Sequence, residues 1–193
     1  MGSDTIISLF LGIGLAASVG FRIFLPLLAL SMAAHFEVLN LNESWQWIGS
    51  YTALFTFGAA TLFEVFAYFI PWVDNLLDGL AIPLAAFAGT VVMMATVTEM
   101  DPVITWSLAI IAGGGTATAV KGANVVGRVA STTATGGLAN PLVSTVETGT
   151  AAVVATASVL FPALAAILVI LVLVVVFRIY RKLRPKFNNN AKK

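Results

Sequence analysis

"IIAGGGTATAVKGANVVGRVAST", Ile110–Thr132, has the small and branched apolar composition of a helix buried in lipid, yet it holds Lys121 and Arg128. Its reading decides the fold. A cation at bilayer depth costs from about 3 to more than 10 kcal/mol unless it snorkels, pairs or faces water. Read as a helix, the stretch places Thr118, Lys121, Asn124, Arg128 and Ser131 at steps of 3, 3, 4 and 3, which makes one polar stripe. The opposite face is free to meet lipid while the stripe meets protein or water. The run Gly113, Gly114, Gly115 either lets a neighbouring helix approach closely or unwinds the helix beside a solute. It is not a phosphate-binding loop, because Lys121 is followed by Gly122 and not by Ser or Thr.

The rest of the chain supports the membrane reading. Of 193 residues, 59% are hydrophobic and 10% charged, and the mean hydropathy is +0.98, values that a soluble domain with a polar surface does not reach. "VLFPALAAILVILVLVVVF", Val159–Phe177, is long enough to span hydrocarbon as a helix. Helices are the expected element throughout, since an open sheet edge in lipid strands backbone donors and acceptors. The start, "MGSDTIISLF", lacks the basic region of a cleaved signal, so the first apolar stretch is expected to stay as a span.

The pattern gives an all-α polytopic bundle of about six spans at 5–34, 45–70, 76–97, 103–132, 140–159 and 160–181, within a transmembrane domain over 1–183. Seven of the ten basic residues lie in "RIYRKLRPKFNNNAKK", Arg178–Lys193, which the positive-inside rule assigns to the cytoplasm. Residues 184–193 read as a disordered basic tail. An even span count puts both termini on that side of a bacterial inner membrane. The connections "HFEVLNLNES" and "VTEMDP", which carry acids and no Lys or Arg, then face outward. Trp45, Trp47, Trp72 and Trp106 fall near span ends, as interfacial indoles do.

The first and fourth spans, at about 30 residues each, exceed one straight crossing and hold central glycines, so tilting, kinking or breakage near Gly14 and Gly113 is expected. Overlaying them puts Ser8 on Ser107, Gly14 on Gly113 and Arg22 on Lys121. That is consistent with two inverted three-helix repeats, 5–97 and 103–181, or with coincidence between two segments of similar composition.

Outside the tail the only basic residues are Arg22, Lys121 and Arg128, all inside expected spans. Glu64, Glu147 and Ser144 fall toward the cytoplasmic ends of their spans, as do Lys121, Asn124 and Arg128. Asp74 and Asp78 stand on a side where loops are usually basic, which draws them into the same group. Arg22 is expected nearer the outer face. The sequence therefore predicts carboxylates paired with cations around a polar cavity open to the cytoplasm; the competing reading is ion pairs that only lock helices together.

Enzymatic chemistry has little support, and an intramembrane enzyme is the third reading after a transporter and a scaffold. Cysteine is absent, His35 is the sole histidine, and no metal-ligand set or Ser–His–Asp set can be assembled. No cofactor, metal or nucleic-acid partner is expected. The expected partners are the lipid bilayer, a small ion or polar solute, and a second copy of the chain in a homodimer. The function expected is a channel or secondary transporter in which Lys121 and Arg128 hold the solute, Glu64 and Glu147 neutralise them or carry protons, and Arg22 guards the outer end. The alternative is a non-transporting scaffold or assembly factor.

Three segments carry a family resemblance: "GLAASVGFRIFLPLLAL", "FEVFAYFIPWVDNLLDGL" and "GGLANPLVSTVET". They resemble the marker segments of a bacterial multi-span family known as domain of unknown function 4126, over roughly residues 12–147. The resemblance singles out Arg22 and Pro26; Glu64, Pro71 and Asp74; and Asn140, Pro141, Ser144 and Glu147. Where many members carry an Asp-Lys pair ahead of the second proline, this chain has Tyr68 and Phe69. The resemblance implies a membrane fold and no particular activity.

Overall fold

A computed structural model describes residues 2–98 and 100–183 of the chain. These residues form helices and connecting turns, with no strand among them. In order they are α1 (Ser3–Phe21), α2 (Phe24–His35), a 3₁₀ helix (Glu43–Gly49), α3 (Tyr51–Ala67), α4 (Pro71–Thr96), α5 (Pro102–Leu108), a π-helical segment (Ala109–Gly114), α6 (Gly115–Thr135), α7 (Asn140–Leu160) and α8 (Pro162–Leu183).

Among the described residues, four segments are long and apolar enough to cross a membrane: Ser3–Phe21, Gly79–Thr96, Pro102–Thr135 and Asn140–Leu160. The 3₁₀ helix and α3 meet at 64° and supply a fifth if taken as one broken span. The chain is thus an α-helical protein built for a bilayer. Its exposed residues agree, because Phe55, Phe63, Phe66 and Phe69, on and just after α3, all face outward, where lipid can solvate them. Phe57, on the same helix, lies partly buried beside Trp47.

The core forms around α1, which packs against α4, α6, α7 and α8. Leu15 and Val19 are fully buried there among Val92, Ala117 and Ala155. Small residues bring the helices close. A Cβ on Gly113 would lie 2.5 Å from the Gly89 carbonyl oxygen, and one on Gly89 would lie 2.7 Å from the Gly113 oxygen, so the two backbones touch directly. Within the two expected repeats the first and third helices pack unequally: α1 lies along α4 over a long face, whereas α6 meets α8 only briefly.

Breaks in the helices fall at prolines more than at glycines. The first expected span is interrupted at Arg22–Ile23, eight residues past Gly14, and α1 runs through Gly14 without a break. Glycine lowers helix propensity by only about 1 kcal/mol, but a proline clashes with the carbonyl four residues earlier. Pro26 has Arg22 at that position, and Arg22 adopts an extended backbone. Gly14 serves close packing instead: a side chain there would collide with Ser158 of α7 and crowd Ala165 of α8. At Gly113–Gly115 the helix likewise continues, its turn widened to π geometry over Ala109–Gly114. Pro71 and Pro141 stand in the first turns of α4 and α7, where a missing N–H costs nothing. The α6–α7 turn needs left-handed backbone at Gly136 and Gly137, with φ of 62° and 88°.

Candidate functional site

The interruption after α1 would strand backbone groups inside the membrane, and neighbouring helices satisfy them. The α3 residue Glu64 accepts hydrogen bonds from Ile23 N through Oε1 (2.8 Å) and from Phe24 N through Oε2 (3.0 Å). Its carboxylate therefore caps the N-terminus of α2, where negative charge also suits the helix dipole. On the other side, Asn124 Nδ2 of α6 donates to Gly20 O at the end of α1 (3.1 Å). Ser18 Oγ donates to Ala151 O of α7 (2.8 Å) and holds the same end in place. Pro26, fully buried, occupies the first turn of α2.

Because the chain turns at Arg22, that side chain leaves the axis of α1 and reaches α7. Its Nε donates to Thr148 Oγ1 (3.0 Å), and its Nη2 donates to Ser144 O (2.9 Å) and to Ser144 Oγ. Nη2 also lies 3.8 Å from Glu147 Oε2. Glu147 takes both of its oxygens to Arg128 of α6, from Nε at 2.9 Å and from Nη2, in a two-pronged ion pair. Arg22, Lys121 and Arg128 are 0%, 1% and 3% exposed, and Glu64 and Glu147 are 6% and 4% exposed. Five ionisable side chains are thus withdrawn from both lipid and bulk water.

Tyr68, at the end of α3, is the shared surface. Its ring centroid lies 4.0 Å from Arg22 Cζ, 4.5 Å from Arg128 Cζ and 5.7 Å from Lys121 Nζ. A ring face attracts cations, more strongly when they are desolvated. The same arrangement crowds three positive charges together, which is tolerable only with carboxylates beside them.

The structure thus brings together Arg22, Glu64, Lys121, Asn124, Arg128, Ser144 and Glu147. Arg22 corrects its expected place: it belongs to the cluster with Arg128 and Glu147 and does not stand apart toward the outer face, because the break at Ile23 aims its side chain at α7. The side chains of Asp74 and Asp78 lie outside the described residues. Gly113 and Gly114 pack against α4, while no atom lies within 4 Å of a Cβ placed on Gly115. Pro141 is exposed, and the Pro71 side chain lies outside the described residues. Sequence reasoning misses Tyr68 and Thr148 as members of the site. Tyr68 has a signal, since it shares a helix face with Glu64 and stands where the resemblance expects an acid. His35 is elsewhere: Nδ1–H donates to Gly49 O (2.8 Å), and its ring edges onto Tyr51 and Phe36.

Between α6 and α7 lies a cavity of about 360 Å³ with Asn124 and Glu147 among its lining residues. Its walls are otherwise mostly apolar, and the outward-facing Leu142 and Val146 mark its lipid side.

Apolar helices around a buried, cross-linked charge cluster define a multi-pass α-helical membrane protein with an intramembrane ionic site. The chain belongs to the family described as domain of unknown function DUF4126, which matches residues 9–182. No curated protein and no solved structure matches it.

Proposed function

We propose that the protein is a channel or secondary transporter for a small ion or polar solute, working through the cluster around Tyr68. The observation that carries this reading is the burial of Arg22, Lys121, Arg128, Glu64 and Glu147 at a break in a membrane helix. Apolar residues of similar volume pack such a position at less cost than desolvated ions do. Broken helices whose ends meet charged groups recur where transporters hold their cargo. In this reading six spans place both termini in the cytoplasm of an inner membrane, and two copies pair as a homodimer. Lys121 and the two arginines hold the solute, while Glu147 balances them. No enzymatic step is part of the proposal.

A second reading has its own support. Glu64 spends both oxygens on the backbone of α2, and Glu147 spends both on Arg128. Groups so fully used also suit a scaffold whose ion pairs lock helices.

Flux separates the two. In proteoliposomes the wild type should move at least one small ion, and Lys121→Met and Ser144→Ala should retain their fold while flux falls about tenfold or more, the loss expected for one interaction with a charged group. Absence of flux for every ion tried, with the variants clearly less stable than wild type, would favour the scaffold.

A further inference from the structure

Two cavities meet at the end of the bundle where α4 stops. Asn42 N donates to Ala95 O (3.0 Å) and Asn42 Nδ2 to Val97 O (3.2 Å), which ties the connection ahead of the 3₁₀ helix to the end of α4. A pocket of about 350 Å³ there is lined by Trp45, Trp47 and Trp106 together with the polar side chains of Asn42, Ser44 and Thr105. A groove of about 810 Å³ shares Trp45, Met94 and Trp106 with that pocket and continues between α4 and the π-helical segment. Its walls are apolar. Phe87, Val91 and Ile110 stand beside Thr90, whose hydroxyl is already donated to Ala86 O (2.8 Å). Phe87 and Ile110 are exposed, so the groove opens sideways, toward lipid.

The joined space is thus polar at the end of the bundle and apolar along its shaft, the division an amphiphile has. Its length is informative too. From Met94 to Ala86 the groove follows α4 for about 12 Å. Half of the roughly 30 Å hydrocarbon core is of similar depth, so the shaft matches one acyl chain of one leaflet, whereas a helix of a second copy would need a track across the whole core. Charge selects the head. The stretches "HFEVLNLNES" and "VTEMDP" put Glu43 beside Ser44 and Asp101 beside Pro102, and contain no Lys or Arg. Those carboxylates repel an anionic head, while they and the indole faces attract an ammonium. We infer that this site holds a phospholipid with an ammonium-bearing head, the head among the three tryptophans and one acyl chain between α4 and the π-helical segment. The inference goes beyond the transport reading and does not depend on it.

The test is native mass spectrometry of the full chain in maltoside micelles, equilibrated with equimolar phosphatidylethanolamine and phosphatidylglycerol of identical acyl chains. One phospholipid should stay bound per chain, with phosphatidylethanolamine favoured about fivefold. Trp106→Leu keeps an apolar wall and removes an indole, so that preference should fall about threefold while a lipid is still retained. Gly115 lines the groove, and no atom lies within 4 Å of a Cβ placed on it. Gly115→Leu should therefore fill the groove and lose the bound lipid, with unfolding in lipid-free micelles near wild type. Should it fail to fold, Ala119→Phe, at an exposed position on the same groove, serves in its place. Equal retention of the two lipids, or retention untouched by the groove-filling variant, would overturn the inference. A lipid-free dimer that Gly115→Leu turns into monomer would also overturn it and give the groove to a second copy.

Discussion

Glu147 divides one carboxylate between two arginines on different helices, and at the scale of single residues this makes it the most exposed to loss. Changing it to Gln leaves Arg128 and Arg22 buried beside an amide. Removing one partner of a buried pair costs about 3–5 kcal/mol, so Glu147→Gln should lower stability by that amount, measured by reversible unfolding in mixed micelles. Arg128→Met together with Glu147→Leu should recover much of the loss, and a double-mutant cycle would measure the coupling. Tyr68→Leu removes the ring from three cations and should cost about 1–3 kcal/mol by the same assay. The charged members of this site were legible in the sequence, since cations inside apolar runs are rare and demand carboxylates. Tyr68 was less so. An aromatic residue among many membrane aromatics has no distinguishing pattern until geometry places charges against its ring.

Among elements, the interruption between α1 and α2 shows what separates a glycine from a proline in a helix. The sequence showed a first span too long for one crossing but offered two kinds of weak point, Gly14 and Pro26. Sterics decide between them. Glycine permits bending and proline disfavours the preceding turn, and the break falls four residues ahead of Pro26, although α4 runs on through Pro83. The cap from Glu64 was not legible, because it joins residues about forty positions apart through backbone N–H groups that carry no sequence signal. Glu64→Gln keeps one acceptor but turns an amide donor toward Ile23 N or Phe24 N. It should cost about 1–3 kcal/mol and speed amide exchange at those two residues, read by hydrogen exchange. Gly113, in the π segment against α4, and Gly122, on α6, supply a matched pair of variants. Gly113→Ala must push the Gly89 carbonyl and Met93 apart and should destabilise by about 1–3 kcal/mol, whereas Gly122→Ala meets no atom within 4 Å and should be neutral or slightly stabilising.

For the whole molecule, hydrophobic runs fixed the helical class and the approximate position of each element, because lipid leaves the backbone few alternatives. Which helices lie together was beyond their reach. An apolar face reads the same whether it meets lipid or α1, and only atomic fit, such as Gly89 against Gly113, makes the choice. The resulting bundle holds its ionic cluster where α1, α2, α3, α6 and α7 converge, and that convergence underlies the proposed function. If the cluster serves passage, water must reach it. The chain contains no cysteine, so a single Asn124→Cys substitution gives one labelling site, on the cavity wall beside Glu147. In oriented vesicles a charged, membrane-impermeant maleimide should modify that thiol from the cytoplasmic side, at a rate comparable to a control such as Ala134→Cys, placed at an exposed position near the end of α6. A thiol that stays unmodified while the control reacts to completion would mean that the cluster is sealed, and the transport account would be contradicted.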